Sequence, residues 1–279
     1  MTELLLMLCF LTSFNSVEKL SPSPKKFFRF TIDEINELLP KLHNQFPNFE
    51  KRIIILSKIR LDTPYEFKAI GDGSGFEPNP IFRVDKTNCT VFVLSNIALA
   101  SALNYQQAES LMIELNYYPL KESNNHVSYE NRRHFTSDRL LTSEYFELIT
   151  TAIAQPEELD TVHLVLNRQS DGSHFLPIDW EKEIELTYIP KKFITGKLLE
   201  RLPAVCGVGV IQKGLFKKGI IIAHEGIIFN GKDFIHASKY ARKVVREDFL
   251  RYSRKKRKGT REPVCDGIVL YLMKEVKFK

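Results

Sequence analysis

One cysteine and two histidines are the side chains of this chain that could together form a nucleophilic catalytic site. Cys89 opens the apolar run CTVFV, which predicts a helix that begins at the cysteine. Because the start of a helix favours negative charge, we expect the pKa of the Cys89 thiol to lie below its ordinary value of about 8.5. His224 and His236 follow far downstream, and they could serve as the base for the thiol and as the group that orients this base.

The spacing of the two histidines depends on the turn between them. Asn230-Gly231 is a strong signal for a tight turn between two strand-like segments. A two-residue loop would place His224 and His236 on opposite faces of the hairpin. A three-residue loop, Phe229-Asn230-Gly231 with Gly231 in the left-handed conformation, would make them direct cross-strand neighbours with Cβ atoms about 5 Å apart. We predict the three-residue loop, which lets one imidazole hydrogen-bond the other.

Four short motifs carry a family resemblance. The chain contains, in order, Pro64-Tyr65, Asn88-Cys89, His224-Glu225-Gly226 and His236-Ala237. This order resembles the NlpC-type cell-wall cysteine hydrolases, whose pattern is Pro-Tyr, Asp-Cys at a helix start, His-x-Gly on a strand, and His-Ala. A longer series, from IGDG at 70–73 through CTVFV and IALA to NRRHF at 131–135, is similar to the N-acetylmuramoyl-L-alanine amidase-like branch. The resemblance covers nearly all of the chain after residue 27.

The resemblance implies both a fold and a reaction. The expected fold is α+β and papain-like, with N-terminal helices and with the nucleophile at a helix start packed on an antiparallel sheet. The expected reaction is hydrolysis of the amide between the lactyl group of N-acetylmuramic acid and L-alanine, through a thioacyl-enzyme. His224 would act as the base, His236 would orient it, and the Cys89 N–H and the Tyr65 hydroxyl would stabilise the oxyanion. No cofactor or metal is expected.

Two departures from the family pattern concern the surroundings of the cysteine. Asn88 stands where the family usually has aspartate, and it should preserve a small polar helix cap. Tyr65 lies farther from Cys89 than in compact family members, which implies an inserted loop, residues 72–85, that we expect to line the substrate groove.

Further substrate-binding residues are predicted from the same series of motifs. Arginines in a groove bind carboxylates through paired hydrogen bonds, whereas on an open loop they are merely solvated. The predicted binding residues are Asp72, Ser74, Arg133 and His134, together with Tyr65.

Several alternatives stay open. Cys89, His224 and His236 could coordinate zinc, although no CxxC or HxxxH spacing accompanies them. Taken singly, each of them also suits a protein core. A murein peptidase that cleaves within the stem peptide and a noncatalytic murein-binding protein also compete. The basic run at 251–261 is read first as a solvated helix end, then as a site for anionic envelope polymer, and last as a nucleic-acid site.

Composition and length indicate one globular enzyme domain. The 279 residues are 43% hydrophobic and carry a net charge of +6, which excludes an intrinsically disordered chain. The apolar run at 4–11 and the following Pro- and Ser-rich stretch predict a secretory leader and linker over residues 1–26, with a buried N-terminal helix as the alternative. We therefore expect one domain at 27–279. The resemblance implies that it acts as a periplasmic or secreted monomer on peptidoglycan fragments, without nucleic acid and without stable membrane insertion.

Local patterns predict the remaining elements. A capping box at Thr31 begins a helix that Pro40 should kink or end, and a second helix spans 48–61. Asn104 begins another helix toward Tyr117. Strands are predicted at 162–167, 204–212 and 267–273, and short helices at 194–201 and 246–256. Cys206 and Cys265 are read as reduced core residues, with a disulfide as the alternative.

Overall fold

The computed structural model describes residues 25–119 and 127–277. Residues 1–24 of the predicted leader and linker lie outside this part. The described helices are α1 Ile32–Gln45, α2 Phe49–Ile59, α3 Cys89–Ser101, α4 Tyr105–Asn116, α5 Thr136–Thr142, α6 Thr150–Ile153, α7 Gly196–Leu199 and α8 Phe249–Ser253. The strands are β1 Phe146–Leu148, β2 Asp160–Leu166, β3 Lys182–Pro190, β4 Val205–Ile211, β5 Ile222–Phe229, β6 Asp233–Ser238, β7 Lys243–Asp248 and β8 Gly267–Met273.

Polar caps fix the starts of the N-terminal helices. The Thr31 side chain and Glu34 form a reciprocal capping box at α1, as predicted, and the helix continues through Pro40 to Gln45 instead of ending there. The Asn48 side chain caps α2, and the Asn104 side chain caps α4. Each predicted helix start in this region is confirmed.

Helix α3 is the centre of the helical layer. Its residues 91–100 are all buried, because the helix is apolar on every side and packs against α2, α4 and the sheet strands β5 and β6. Cys89 is its first residue, so the predicted helix start is confirmed. Within residues 25–119 and 127–277, no helix is both long and apolar enough to cross a membrane.

The strands form an antiparallel sheet in the order β2-β3-β8-β4-β5-β6-β7, and β1 also pairs with β8. The two faces of this sheet contact two groups of apolar side chains, one shared with the helical layer and one beneath α8. The α+β class with an antiparallel sheet is thus confirmed. The strand β3 had no counterpart among the predicted elements.

The register of the histidine hairpin differs from the prediction by two residues. Ile227 pairs with Ile235 and Phe229 pairs with Asp233, so the loop is residues 230–232. Both Asn230 and Gly231 have positive φ, and the Lys232 N–H donates to the Phe229 carbonyl, which leaves Lys232 as the third loop residue. The predicted loop of 229–231 was therefore wrong. A shift of two residues keeps every side chain on its face, so the histidines share one face, but the prediction that they are directly opposite each other was wrong, because they lie diagonally across the hairpin.

The segment after this hairpin also differs from the prediction. A helix was expected over 246–256, but the structure has the strand β7 through Asp248 and then the short helix α8. The Asp248 side chain accepts the Arg251 N–H and caps α8, which explains why the helix begins there. Cys206 and Cys265 are both free and buried, so the reduced reading of this pair is confirmed.

Candidate active site

A cavity of about 430 Å³ lies where the start of α3 meets β5, β6 and β7. It contains the three residues with nucleophilic and base chemistry, aromatic rings from three parts of the chain, and a run of basic residues. The lining residues that matter here are Tyr65, Phe67, Cys89, His224, His236, Lys239, Tyr240, Glu247, Tyr252, Lys255, Lys256, Arg257 and Lys258. The structure therefore brings Cys89, His224, His236 and Tyr65 to one cavity.

The side-chain amide of Asn88 connects the start of α3, where Cys89 lies, to the loop that carries Phe67. Its Oδ1 accepts the Val91 N–H at 2.9 Å, which caps α3, and its Nδ2 donates to the Phe67 carbonyl at 2.9 Å. An aspartate could make only the first contact, because a carboxylate does not donate. Asn88 thus preserves the expected polar cap and also ties the loop that carries Phe67 to the helix start.

The two imidazoles are in direct contact. His224 Nε2 lies 2.7 Å from His236 Nδ1, and the ring planes are nearly perpendicular at 85°. A β-bulge between β4 and β5 leaves Ala223 as an extra residue just before His224, and such bulges re-aim the neighbouring side chain. Across the hairpin, a Cβ on Gly226 would lie 2.7 Å from the His236 Cβ, so only glycine leaves room for this ring.

Glu247 on β7 extends the chain of contacts, and the sequence analysis did not find it. Its Oε1 lies 3.4 Å from His236 Nε2, and its other oxygen contacts the Lys255 ammonium. The His236 ring and Lys255 lower the pKa of Glu247 to about 2, so the carboxylate is ionised at neutral pH. Since a carboxylate only accepts, the proton of His236 lies on Nε2. His236 Nδ1 then accepts from His224 Nε2, which leaves His224 Nδ1 as the unprotonated nitrogen.

Burial sets the protonation states of the resting site. Burial, and next the proximity of the His236 ring, lower the pKa of His224 well below 6.5, so His224 is a neutral base at pH 7. Burial, and next the Glu225 carboxylate, raise the pKa of Cys89 to about 11, although the Glu225 and Thr90 backbone groups act in the opposite direction. The predicted lowering of the Cys89 pKa is therefore wrong. Cys89 is therefore a thiol at neutral pH, and a base would have to take its proton before the sulfur could act as a nucleophile.

The carboxylate of Glu225, the residue after His224, belongs to a buried network of hydrogen bonds. Glu225 is fully buried and receives two hydrogen bonds from Arg139 Nη2, at 2.8 and 2.7 Å. The Thr136 and Tyr271 hydroxyls donate to it at 2.9 and 3.0 Å. These bonds compensate the buried charge and join α5 and β8 to the strand that carries His224.

Tyr65 lines the same cavity as Cys89. Its backbone N–H donates to the Arg242 carbonyl at 2.9 Å, and its backbone pairs with Thr87, two residues before Cys89. Burial, and next the proximity of Cys89, raise the pKa of Tyr65 to about 12, so the phenol keeps its proton and can donate a hydrogen bond.

Comparison with known proteins places this geometry in a family. The profile of the AmiA-like family, described as N-acetylmuramoyl-L-alanine amidase-like, matches residues 55–260. The chain belongs to this family. The membership supports an amidase-like hydrolase connected with the cell wall. No curated protein matches the chain at the sequence level.

Solved structures share the fold of this AmiA-like chain at low sequence identity. Protein LPG0564 from Legionella pneumophila has a TM-score of 0.67 and 19% identity, over 88% of this chain and 97% of that one. An N-acetylmuramoyl-L-alanine amidase from Bacteroides uniformis has a TM-score of 0.59 and 18% identity, over 81% and 99%. The family match includes every cavity residue named above.

The other predicted binding residues of this AmiA-like protein lie outside the cavity lining. Asp72 is buried and accepts the Ser74 N–H at 3.4 Å, while Ser74 itself is exposed. Arg133 donates to the Tyr117 carbonyl and contacts Thr142. His134 Nε2 donates to the Tyr129 carbonyl at 2.6 Å, and burial lowers its pKa to about 4. None of the four is among the residues that line the cavity around Cys89.

The zinc alternative requires three such ligands to converge on one ion. In the part of the chain that the structure describes, no group of three or more His, Cys, Asp or Glu side chains is arranged to hold a metal. His224 Nε2 and His236 Nδ1 instead face each other at 2.7 Å.

Proposed function

We propose that this AmiA-like protein is a cysteine-dependent N-acetylmuramoyl-L-alanine amidase of the papain-like NlpC type. The observation that carries the proposal is the His224–His236 contact beside Cys89 in one cavity. Family membership and the Bacteroides uniformis amidase support the reaction class. The substrate would be a peptidoglycan fragment, met by a monomeric enzyme in the periplasm or outside the cell.

The protonation states favour general-base activation of the thiol. Neutral His224 takes the Cys89 proton as sulfur attacks the amide carbonyl, because a thiol with a pKa of about 11 is protonated at neutral pH. The imidazolium that forms is stabilised by His236 and, through it, by the Glu247 carboxylate.

The oxyanion of the tetrahedral intermediate needs donors close to the sulfur. The Cys89 N–H belongs to the first turn of α3, whose N–H groups have no partner within the helix. The Tyr65 phenol, which keeps its proton, would be the second donor. His224 then protonates the departing amine, and water releases the acyl group with His224 again acting as base.

Defined muropeptides test this function. The unmodified protein, Cys89→Ala and the control Cys265→Ala would each be incubated with a disaccharide peptide and an anhydro-muropeptide, and the products would be followed by mass spectrometry. We expect free sugar and intact stem peptide from the unmodified protein and from Cys265→Ala, and no product from Cys89→Ala. Cleavage within the peptide would make the protein a murein peptidase. Absence of cleavage would favour a binding role.

A further inference from the structure

One wall of the cavity is strongly basic. Residues 255–264, here called the basic tongue, contribute Lys255, Lys256, Arg257 and Lys258 to the lining, and Lys239 lies on the same lining. Among the described side chains that line the cavity, Glu247 is the one carboxylate. A wall with five cations and one anion favours an anionic ligand.

The basic tongue has a defined backbone. The Val264 N–H donates to the Lys255 carbonyl at 3.1 Å, and the Arg257 N–H donates to the Glu262 carbonyl at 2.8 Å. Gly259 has a φ of +76°, which allows the chain to reverse there. Helix α8 ends at Ser253, so these cations project from a narrow turn and do not extend the helix end, contrary to the first reading of this run.

Internal ion pairs occupy only part of this charge. Lys255 contacts Glu247, and Arg257 Nη1 lies 2.7 Å from a Glu262 oxygen. Lys239, Lys256 and Lys258 are exposed and form no ion pair with any of the described residues. Three ammonium groups beside the nucleophile are therefore available to a ligand.

We propose that Lys239, Lys256 and Lys258 bind the free carboxylates of the stem peptide, which makes the enzyme selective for anionic substrates. The proposal rests on the proposed amidase function, because the scissile amide must lie at Cys89 while the peptide extends along the basic tongue. The exposed rings of Phe67 and Tyr240 form another part of the lining, which suits the uncharged portion of the substrate.

Two substrates that differ only in charge test this selectivity. One muropeptide would carry free carboxylates on the stem peptide and the other the corresponding primary amides. We expect kcat/KM to be about 10-fold higher for the free acid, mainly through KM, because each of the three exposed pairs contributes roughly 2-fold. The preference should shrink as salt is added, since the pairs are solvent-exposed.

Paired substitutions assign the preference to the tongue. In Lys256→Gln/Lys258→Gln it should fall to about 2-fold or less, whereas Lys51→Gln/Lys197→Gln, which removes two exposed charges outside the lining, should keep it. Equal cleavage of both substrates by the unmodified protein would overturn the proposal.

A binding measurement separates this inference from the function on which it rests. Calorimetry with Cys89→Ala and the same two muropeptides reports affinity without turnover. Tighter binding of the free acid, with no cleavage by the unmodified protein, would leave the tongue's role intact and remove the amidase function. Tighter binding of a single-stranded oligonucleotide than of the free acid would assign the tongue to nucleic acid and overturn the proposal.

Discussion

Two clusters of titratable side chains differ in what their polar atoms face. The first cluster, Cys89, His224, His236 and Glu247, lines an open cavity. Its contacts run from one side chain to the next: His224 Nε2 lies 2.7 Å from His236 Nδ1, and His236 Nε2 lies 3.4 Å from a Glu247 oxygen. Such an arrangement is suited to proton transfer.

The second cluster, Glu77, Tyr117, Arg132 and His134, has equally reactive residue types with another arrangement. Arg132 lies 2.5 Å from a Glu77 oxygen, and the Tyr117 hydroxyl donates to the Gly71 carbonyl at 2.9 Å. His134 donates to a backbone carbonyl in the same way. The Arg132–Glu77 and Tyr117–Gly71 contacts tie residues 71–77 to the end of α4 and to the segment that follows it. Residue type alone therefore does not distinguish a candidate catalytic site from a structural hydrogen-bond network. The hydrogen-bond partner of each polar atom makes that distinction.

Removal of one histidine from each cluster should give the largest contrast. We expect His224→Ala to lower kcat/KM by about 10⁴-fold with little change in melting temperature, because the base is lost. His134→Ala should keep kcat/KM within about 2-fold and lower the free energy of unfolding by about 1–2 kcal/mol, because a buried carbonyl loses its donor. Steady-state kinetics and thermal melts measure both. Lost turnover in His134→Ala would place the second cluster in substrate binding after all.

The raised thiol pKa predicts a steep pH dependence of alkylation. Since the pKa of Cys89 is about 11, its thiolate fraction rises tenfold per pH unit below that value. The rate of iodoacetamide labelling should therefore increase about 10³-fold between pH 7 and pH 10. Mass spectrometry of the Cys89 peptide follows the reaction. A rate that is already constant at pH 7 would show a preformed thiolate, and with it a resting ion pair.

The phenol of Tyr65 should matter for turnover and not for folding. Tyr65→Phe should reduce kcat/KM by about 10²-fold, because one oxyanion donor is lost. Tyr145→Phe, which removes a phenol bonded to Glu114 away from the cavity, serves as the matched control. If the two variants are equally active, Tyr65 is only a wall of the cavity.

Glu247 should have the smallest effect, because its contact with His236 is long. Glu247→Gln keeps the shape and the acceptor oxygen but removes the charge that stabilises the imidazolium, and kcat should fall about 10-fold with KM unchanged. Glu185→Gln, at an exposed site on β3, is the charge-matched control. An unchanged kcat for Glu247→Gln would end the catalytic chain at His236.

Local signals in the sequence were sufficient for the elements that carry the nucleophile. The Asn88 cap and the apolar run predicted the start of α3, and Asn230-Gly231 predicted the hairpin. The exact register was not predictable, because no local signal in the sequence shows whether Lys232 belongs to the loop or to the strand that follows. The face shared by the two histidines was still correct, since both registers have the same parity.

Contacts between distant segments limited the rest. Glu247 lies on β7, where VV at 244–245 was a strand signal, but the charged residues that follow were read as part of a helix. Its proximity to His236 follows from pairing of β6 with β7, which places Val245 beside His236. Arg133 and His134 were expected in the groove because their types suit carboxylates. Sequence pattern does not show that Arg133 and His134 each hydrogen-bond a backbone carbonyl, and their part in substrate binding stays a prediction.

The missing side chain of Gly226 links the two histidine motifs in the structure. Its backbone needs no left-handed angle; what it supplies is vacant space, which the His236 side chain and the Phe234 ring fill. The glycine of His-x-Gly therefore makes the space into which the histidine of His-Ala packs on the neighbouring strand. The two motifs are separate in the sequence, but in the structure they pack against each other across the hairpin. Neither motif would therefore keep its geometry if it were moved alone to another fold.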